Sequence, residues 1–430
     1  MNKSFSIPAK VLSYDVVVCG GGVAGAAAAL NAARNGVKTA LIDSGGELGG
    51  DITKGLVPQL LDPQGKGGYV KEILDFLNAG EHTISRRGPR YDENGKKVPG
   101  TVIENEYMKY FLDKSLRDAG ADVFYHSVVC AADMNEGSIT SVMIATEAGN
   151  YALRAKVFID ATGNGQLATM AGCPYEFGHP ETGQPQPASI GLLVTGLTEE
   201  YTSSEEGRAL LIERMKQAGE PFSSGNPFVI HNPADNCWNV IGKFEDQYEV
   251  PTDDILALSN ATRDGRIASF EFAEALKDFP EFAGMTILQS SGHLGIREGN
   301  RIKGQYQLTY DDVTTGVKFE DGICKVGFGI DVHAISPDDR RDHKKGKKVV
   351  PYNIPYRSLL PLGCDNLLLA GRCISGDFYA HASYRVAGDV IPTGEAAGYA
   401  AAICVKESIL PAQVDGKSVS RYMAELGYEL

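Results

Sequence analysis

The sequence predicts an α/β protein: a Rossmann-type dinucleotide-binding domain, interrupted by an inserted α+β cap domain. Three observations predict it. An apolar strand, a glycine-rich turn and an alanine-rich helix follow one another inside the first forty residues. Two more short apolar runs, "VFID" at 157–160 and "NLLLAG" at 366–371, each end in a turn of small residues. Between Cys173 and about Pro351 that pattern loosens into mixed strand and helix signals.

The opening unit is "YDVVVCGGGVAGAAAALNAARNGVKTALID". Val16 to Cys19 read as a buried strand, and Gly20, Gly22 and Gly25 fit G-x-G-x-x-G. Gly20 permits the tight turn, Gly22 lets backbone approach a pyrophosphate, and Gly25 lets helix and strand pack closely. The helix that begins at Val23 and Ala24 turns its N-terminal N–H groups toward such phosphates. "KTALID" is the next strand, and Asp43, 18 residues beyond Gly25, stands where a carboxylate accepts hydrogen bonds from a ribose diol. Strand, helix, strand and acid in this order specify a dinucleotide, without saying which one.

Further along, "ENEYMKYFLDKSLRDAGADV" places Met108, Phe111, Leu112, Leu116 and Ala119 on one helix face, stopped by Gly120. Strand-like runs follow at 121–131, 139–147 and 151–160 and are expected in the sheet over the adenosine half. In the middle region, strands are expected at 189–197 and 324–332 and helices near 205–218 and 268–277. The domains expected are 1–173, the first part of the nucleotide-binding domain; 174–350, the cap; and 351–430, its C-terminal part.

Composition narrows the function. A formal net charge of −14 argues against nucleic acid as the partner. The basic run "RRDHKKGKK" at 340–348 lacks aromatics and reads as a solvated loop. The eight cysteines are scattered with no C-x-x-C, so neither a metal site nor a disulfide redox pair is expected. No apolar run is long enough to span a bilayer and no signal peptide is visible, so a soluble, cytoplasmic protein is expected.

"ELGGDITKG" (47–55), "VFIDATGNG" (157–165), "NLLLAGRCISGD" (366–377) and "GIREGNRIKG" (295–304), together with the opening fingerprint, resemble the FAD-dependent oxidoreductases related to the fumarate reductase and succinate dehydrogenase flavoproteins. The resemblance runs from residue 15 to about 404 and thins over roughly 175–285. It implies a Rossmann-type FAD-binding domain with a three-layer ββα sandwich and the inserted domain as a substrate cap. It implies FAD contacts at Ser44, Gly49, Gly50 and Thr53 around the leucine–glycine–glycine turn, and at Val129. It adds Ala161, Thr162 and Gly163 at the first strand end and Gly371 and Arg372 at the second. The sequence departs from the family in having Asp43 for a glutamate, Asn164 and Gln166 in an acidic run, and Asn300 beside Arg301 for a pair of arginines. No second G-x-G-x-x-G follows a strand, so reducing equivalents are expected from a substrate or a separate donor or acceptor.

The stretch "ISGDFYAHASYRVAGDVIPTGEAAGYAAA" (374–402) crowds ionisable side chains directly before a smooth helix. Residues 374–389 are expected to loop near the flavin's reactive edge. The helix is expected to start with Pro392 in its first turn and, by the resemblance, to present Gly388, Asp389, Pro392 and Thr393 to the flavin. The candidate catalytic residues are His381 as general base, Arg385 as a carboxylate anchor, and Tyr384. The plainer alternative pairs Arg385 with Asp377 or Asp389. His293, Arg297 and Arg301 form a second candidate group, with an Arg–Glu pair at Glu298 as its structural alternative, and His333 is placed near the lobe interface. The expected function is hydride transfer between flavin N5 and a small polar metabolite, hydroxylated or carboxylate-bearing. Reduction of an activated C=C bond and a non-redox isomerase or lyase are the alternatives. The oligomeric state is left open.

Overall fold

The computed structural model describes residues 9–85, 96, 99–198, 204–218, 228–234, 236–242, 249–336 and 348–430. Apart from Lys348, the basic run lies outside them. The protein is built on a five-stranded parallel sheet in the order Leu367–Leu369, Val157–Asp160, Val16–Cys19, Thr39–Ile42, Asp122–Phe124. The first four of these strands are buried at every residue, as parallel strands covered on both faces must be. Helices Val23–Arg34, Asn105–Ala119 and Ala387–Glu407 cover one face. A second sheet, ordered Ala9–Ser13, Gly149–Arg154, Ser138–Thr146, Val128–Asn135, contributes to the same core and completes the ββα layering.

Two of the expected strands each divide between these sheets. The run 121–131 breaks at His126, whose φ of 49° turns the chain from the parallel sheet into the second one. The run 151–160 breaks after Arg154, where Lys156 N–H meets Asp15 C=O at 3.1 Å and the chain crosses over. Periodicity sees two adjacent apolar segments and cannot tell that they serve different layers.

The middle region carries an antiparallel sheet in the order Phe228–His231, Cys237–Gly242, Ile190–Thr195, Thr286–Ser290. Leu192, Val194, Trp238, Phe272 and Phe282 make its separate core. The helix expected near 268–277 is the end of a longer one, Ile255–Leu276, started by the Asp254 carboxylate accepting from Leu256 N–H (2.8 Å) and Ala257 N–H (3.1 Å). The strand expected at 324–332 is confined to Gly322–Val326. Ile302, Leu308, Val313 and Ile323, expected in the cap, pack into the larger core.

The C-terminal half differs most from expectation. Residues 378–384 are a helix, not a loop: Asp377 Oδ1 caps it, accepting from Tyr379 N–H at 3.0 Å and Ala380 N–H at 2.8 Å. The next helix starts at Ala387, so Pro392 falls in its second turn and the Gly388 carbonyl loses its intrahelical partner. Further along, a Cβ at Gly394 would stand 2.0 Å from Ala24 O and one at Gly398 2.3 Å from Ala28 O. The helices 23–34 and 387–407 therefore touch backbone to backbone. Glu395 is buried in the same helix, accepting from Tyr69 N–H at 3.1 Å and from the Tyr428 hydroxyl. Burial pushes its carboxyl up to about 7.

Candidate active site

The glycine loop lies against two other turns. Gly20 has a φ of 104°, and a Cβ there would stand 2.4 Å from Ala161 O, so only glycine lets the loop meet the 161–163 turn. Gly22 bridges to Gly49, and Gly49 N–H donates to Gly21 C=O at 2.9 Å. A Cβ at Gly22 would meet nothing within 4 Å, which leaves open space over the loop. The N–H groups of Val23, Ala24 and Gly25, in the first turn of the helix, have no intrahelical acceptor. Open space in front of unsatisfied N–H donors fits a pyrophosphate.

Asp43 stands at the end of its strand, beside exposed Ser44. Its Oδ2 accepts from Gly21 N–H at 2.8 Å; its Oδ1 accepts from Gly45 N–H at 2.7 Å and from Lys54 Nζ at 2.5 Å. Val129 follows in the second sheet, paired with Ile144. The Thr53 hydroxyl donates to Leu48 C=O at 2.5 Å and lies where a Gly49 Cβ would be, and Gly50 approaches Gly22. Thr162 turns its hydroxyl back to Asp160 Oδ1 (2.7 Å). Gly163 leaves room for the Arg372 guanidinium, and Gly371 N–H donates to Thr393 Oγ at 2.8 Å.

The start of the 387–407 helix is engaged elsewhere. Gly388 N–H donates to Leu61 C=O at 2.9 Å, and Asp389, fully buried, pairs with Lys66 Nζ at 2.8 Å, with Asp62 3.5 Å from the same ammonium. Burial pushes the Asp389 carboxyl well up. These two residues are tied to the 61–66 segment by those contacts. Pro392 and Thr393 are buried behind Gly371.

A second cluster joins the glycine–glycine turn to the cap. His293 Nε2 lies 2.9 Å from Asp51 Oδ1, and Arg372 NH1 is 3.3 Å from Asp51 Oδ2 while its NH2 donates to Asn164 at 2.9 Å. Burial raises the Asp51 carboxyl, but the His293 hydrogen bond and the fields of Arg372, His293 and Arg297 outweigh it and hold it at about 2. Arg297 NH1 donates to Pro187 C=O at 2.5 Å. Arg385 NH2 donates to Asp331 C=O at 2.9 Å and lies 3.4 Å from its carboxylate, which His333 approaches at 3.3 Å. Arg385 is thus paired with Asp331, not with Asp377 or Asp389. Burial pushes Asp331 up, but the His333 hydrogen bond and the charges of His333, Arg385 and Arg297 hold it well below the usual carboxylate range.

His381 hydrogen-bonds only through its backbone among the described residues, its N–H donating to Asp377 C=O at 2.9 Å and its C=O accepting from Arg385 N–H at 3.2 Å. It is fully buried, and neither ring nitrogen has a partner among the described residues. Burial, with Arg301, Arg385 and Arg372 nearby, drives its pKa far below the usual histidine value, so it stays neutral. A neutral imidazole that resists a proton does not suit a general base. Tyr384 donates its hydroxyl to Ile374 C=O at 2.9 Å and is buried against Gly376. Arg301 pairs with Glu298, which also accepts Gly178 N–H and Gln186 N–H at 3.0 Å each; this structural Arg–Glu pair uses Arg301 rather than Arg297. A cavity of about 830 Å³ opens beside it, walled by Glu176, His179, Arg301, Tyr310, Phe378 and Tyr379.

Asp51, Asp331 and Lys54 were not singled out in the sequence. Asp51 had one signal, its place directly after the glycine–glycine turn. Asp331 and Lys54 had none, because neither falls in a motif, although Lys54 meets Asp43 and Asp331 meets His333 within a dozen residues along the chain.

The parallel sheet and the glycine loop with its open groove define a dinucleotide-binding protein. The chain matches the FAD dependent oxidoreductase family over residues 15–423 and belongs to it, and FAD is its cofactor. It is 27% identical over 151 residues to a digeranylgeranylglycerophospholipid reductase of Methanococcus vannielii, covering 35% of this chain and 38% of that protein. A soluble pyridine nucleotide transhydrogenase of Pseudomonas syringae is 45% identical over 67 residues, 15% of this chain and 14% of that one. Among solved structures, a geranylgeranyl bacteriochlorophyll reductase-like protein of Thermoplasma acidophilum superposes with a TM-score of 0.46 at 16% identity, covering 97% of this chain and 83% of that one. The chain thus spans less than half the length of these curated relatives. Among the described residues no helix is long and apolar enough to cross a membrane.

Proposed function

We propose that the protein moves a hydride between FAD and a small, carboxylate-bearing or hydroxylated metabolite, with His293 carrying the proton and Arg297, Arg372 and Arg385 holding anionic oxygens. The observation that carries this reading is the Asp51–His293 contact at 2.9 Å beside Arg372. Bound FAD supplies two-electron chemistry at flavin N5. Asp51, ionised at every working pH, engages one ring nitrogen of His293 and leaves the other for a substrate hydroxyl. The anchoring role is supported by Nε of Arg372 and of Arg385, both buried without a partner among the described residues. A buried donor left unsatisfied costs about 1–3 kcal/mol, which a bound carboxylate or carbonyl oxygen relieves. In this reading Gly20, Gly22 and Gly25 receive the pyrophosphate, Asp43 the ribose, and the 161–163 and 371–372 turns the ribityl chain. The cap is confined to about 174–300, since residues from 302 onward pack with the cofactor lobe. Kinship with the fumarate reductase and succinate dehydrogenase flavoproteins belongs to this proposal and is supported by the leucine–glycine–glycine turn.

Reduction of a C=C bond is a second reading, favoured by the reductases among the relatives. Anaerobic mixing separates the two. Hydroxy acids that bleach the flavin support the first reading. Reoxidation of dithionite-reduced enzyme by unsaturated acids or prenyl lipids, without bleaching by any hydroxylated compound, overturns it in favour of the second.

A further inference from the structure

We infer that Lys54 is a mobile counter-ion of the cofactor groove, shared with Asp43 in the free protein and transferred to the FAD pyrophosphate on binding. Three observations lead there. Asp43 already accepts three donors: Gly21 N–H, Gly45 N–H and the Lys54 ammonium, the last at 2.5 Å. A carboxylate offers about four acceptor positions, so a ribose diol with two hydroxyl donors cannot be fully received until Lys54 moves off. The Lys54 ammonium also lies close over Gly45, two residues after Asp43, 2.9 Å from where a Gly45 Cβ would stand. The Asp43 it grips is bonded directly to the glycine loop through Gly21. A flexible four-carbon stem lets the ammonium leave Asp43 for a diphosphate received in the open space at Gly22.

The main chain of Lys54 is fixed while its side chain moves. Its carbonyl accepts Gly292 N–H at 2.8 Å, one residue before His293. The residue that answers to the adenosine end is therefore anchored to the cap segment that carries the proposed base.

The test is FAD binding, independent of any turnover. Apoprotein is titrated with FAD by flavin fluorescence at low and high salt, for wild type, Lys54→Met, Lys54→Arg, Asp43→Asn and the Asp43→Asn/Lys54→Met double variant. Circular dichroism confirms that each is folded, and Lys54→Arg keeps the charge at the site. Transfer to the pyrophosphate predicts that Lys54→Met weakens binding about tenfold or more at low salt, with a gap that narrows as salt screens the ammonium. It also predicts that the loss persists when Asp43 is already Asn. If Lys54→Met tightens FAD binding, Lys54 is only a competitor for Asp43, and the inference fails. It fails equally if the loss disappears in the Asp43→Asn background, because Lys54 then acts only by holding Asp43 in place, or if binding does not change.

Discussion

His293 Nε2 and Asp51 Oδ1 are 2.9 Å apart although 242 residues separate them in the chain. The contact ties the segment around His293 to the glycine–glycine turn. It places a carboxylate held at about 2 beside the one histidine of the cluster that shares a carboxylate with Arg372. If His293 handles the proton, His293→Gln lowers kcat by about 10²–10⁴-fold and flattens the pH–rate profile, while the FAD spectrum is retained. Asp51→Asn lowers kcat less, because the imidazole is kept but loses its orienting charge. Stopped-flow flavin reduction across pH reads both, and an unaltered profile in His293→Gln refutes the assignment.

Arg385 is paired with Asp331, so its removal leaves the helix start at Asp389 and Lys66 intact. Arg385→Ala is expected to keep its FAD and to raise KM about tenfold or more with a smaller change in kcat, as for an anchor used in ground and transition states alike. Loss of flavin on gel filtration would show instead that Arg385 braces the cofactor lobe.

His381→Leu is expected to turn over at close to the wild-type rate, since the ring has no hydrogen-bond partner among the described residues to lose. Its folded-state pKa is depressed below the unfolded value near 6.5. The wild type therefore loses stability as pH falls below about 6.5, because the unfolded chain takes up a proton that the buried ring refuses. The variant should lack that part of the acid loss in urea melts at pH 5 and 7. A kcat reduced a hundredfold would restore His381 as the base.

Glu395 acts in the opposite direction. Its carboxyl is raised to about 7 in the fold against about 4.3 unfolded, so the stability it favours is fully present below the lower value and is lost as pH rises through the higher one. The loss between about pH 4 and 7 is on the order of 3 kcal/mol, and Glu395→Gln should abolish it. Parallel pH dependences in variant and wild type would count against a buried, protonated Glu395.

The parts of this fold visible in the sequence are those written locally. The strand from Val16, the glycine loop and the stop at Gly120 depend on neighbours a few residues apart. The crowded segment 374–389 reads in the sequence as a loop at the flavin's edge because its ionisable residues hide a helical stretch, whereas residues 378–384 are a helix capped by Asp377, His381 is buried, and Asp389 pairs with Lys66. Asp51–His293 and Arg385–Asp331 join distant segments, and no spacing rule encodes such pairs. The glycine loop and its strand were therefore legible locally, whereas of the Asp51–His293–Arg372 cluster the sequence offered His293 and Arg372 only as separate candidates.

The close packing of Gly394 and Gly398 onto Ala24 and Ala28 sets an order of events during synthesis. The alanine-rich helix 23–34 leaves the ribosome early, but the surface that covers it is made more than 350 residues later. Strand Leu367–Leu369, which borders Val157–Asp160, arrives equally late. Until then the nascent chain carries an uncovered apolar face and an open sheet edge, the features that recruit chaperones and promote aggregation. Cofactor loading is therefore a late event in the life of the chain, and truncations that stop short of residue 407 should accumulate as insoluble, colourless protein even though they contain the whole glycine loop.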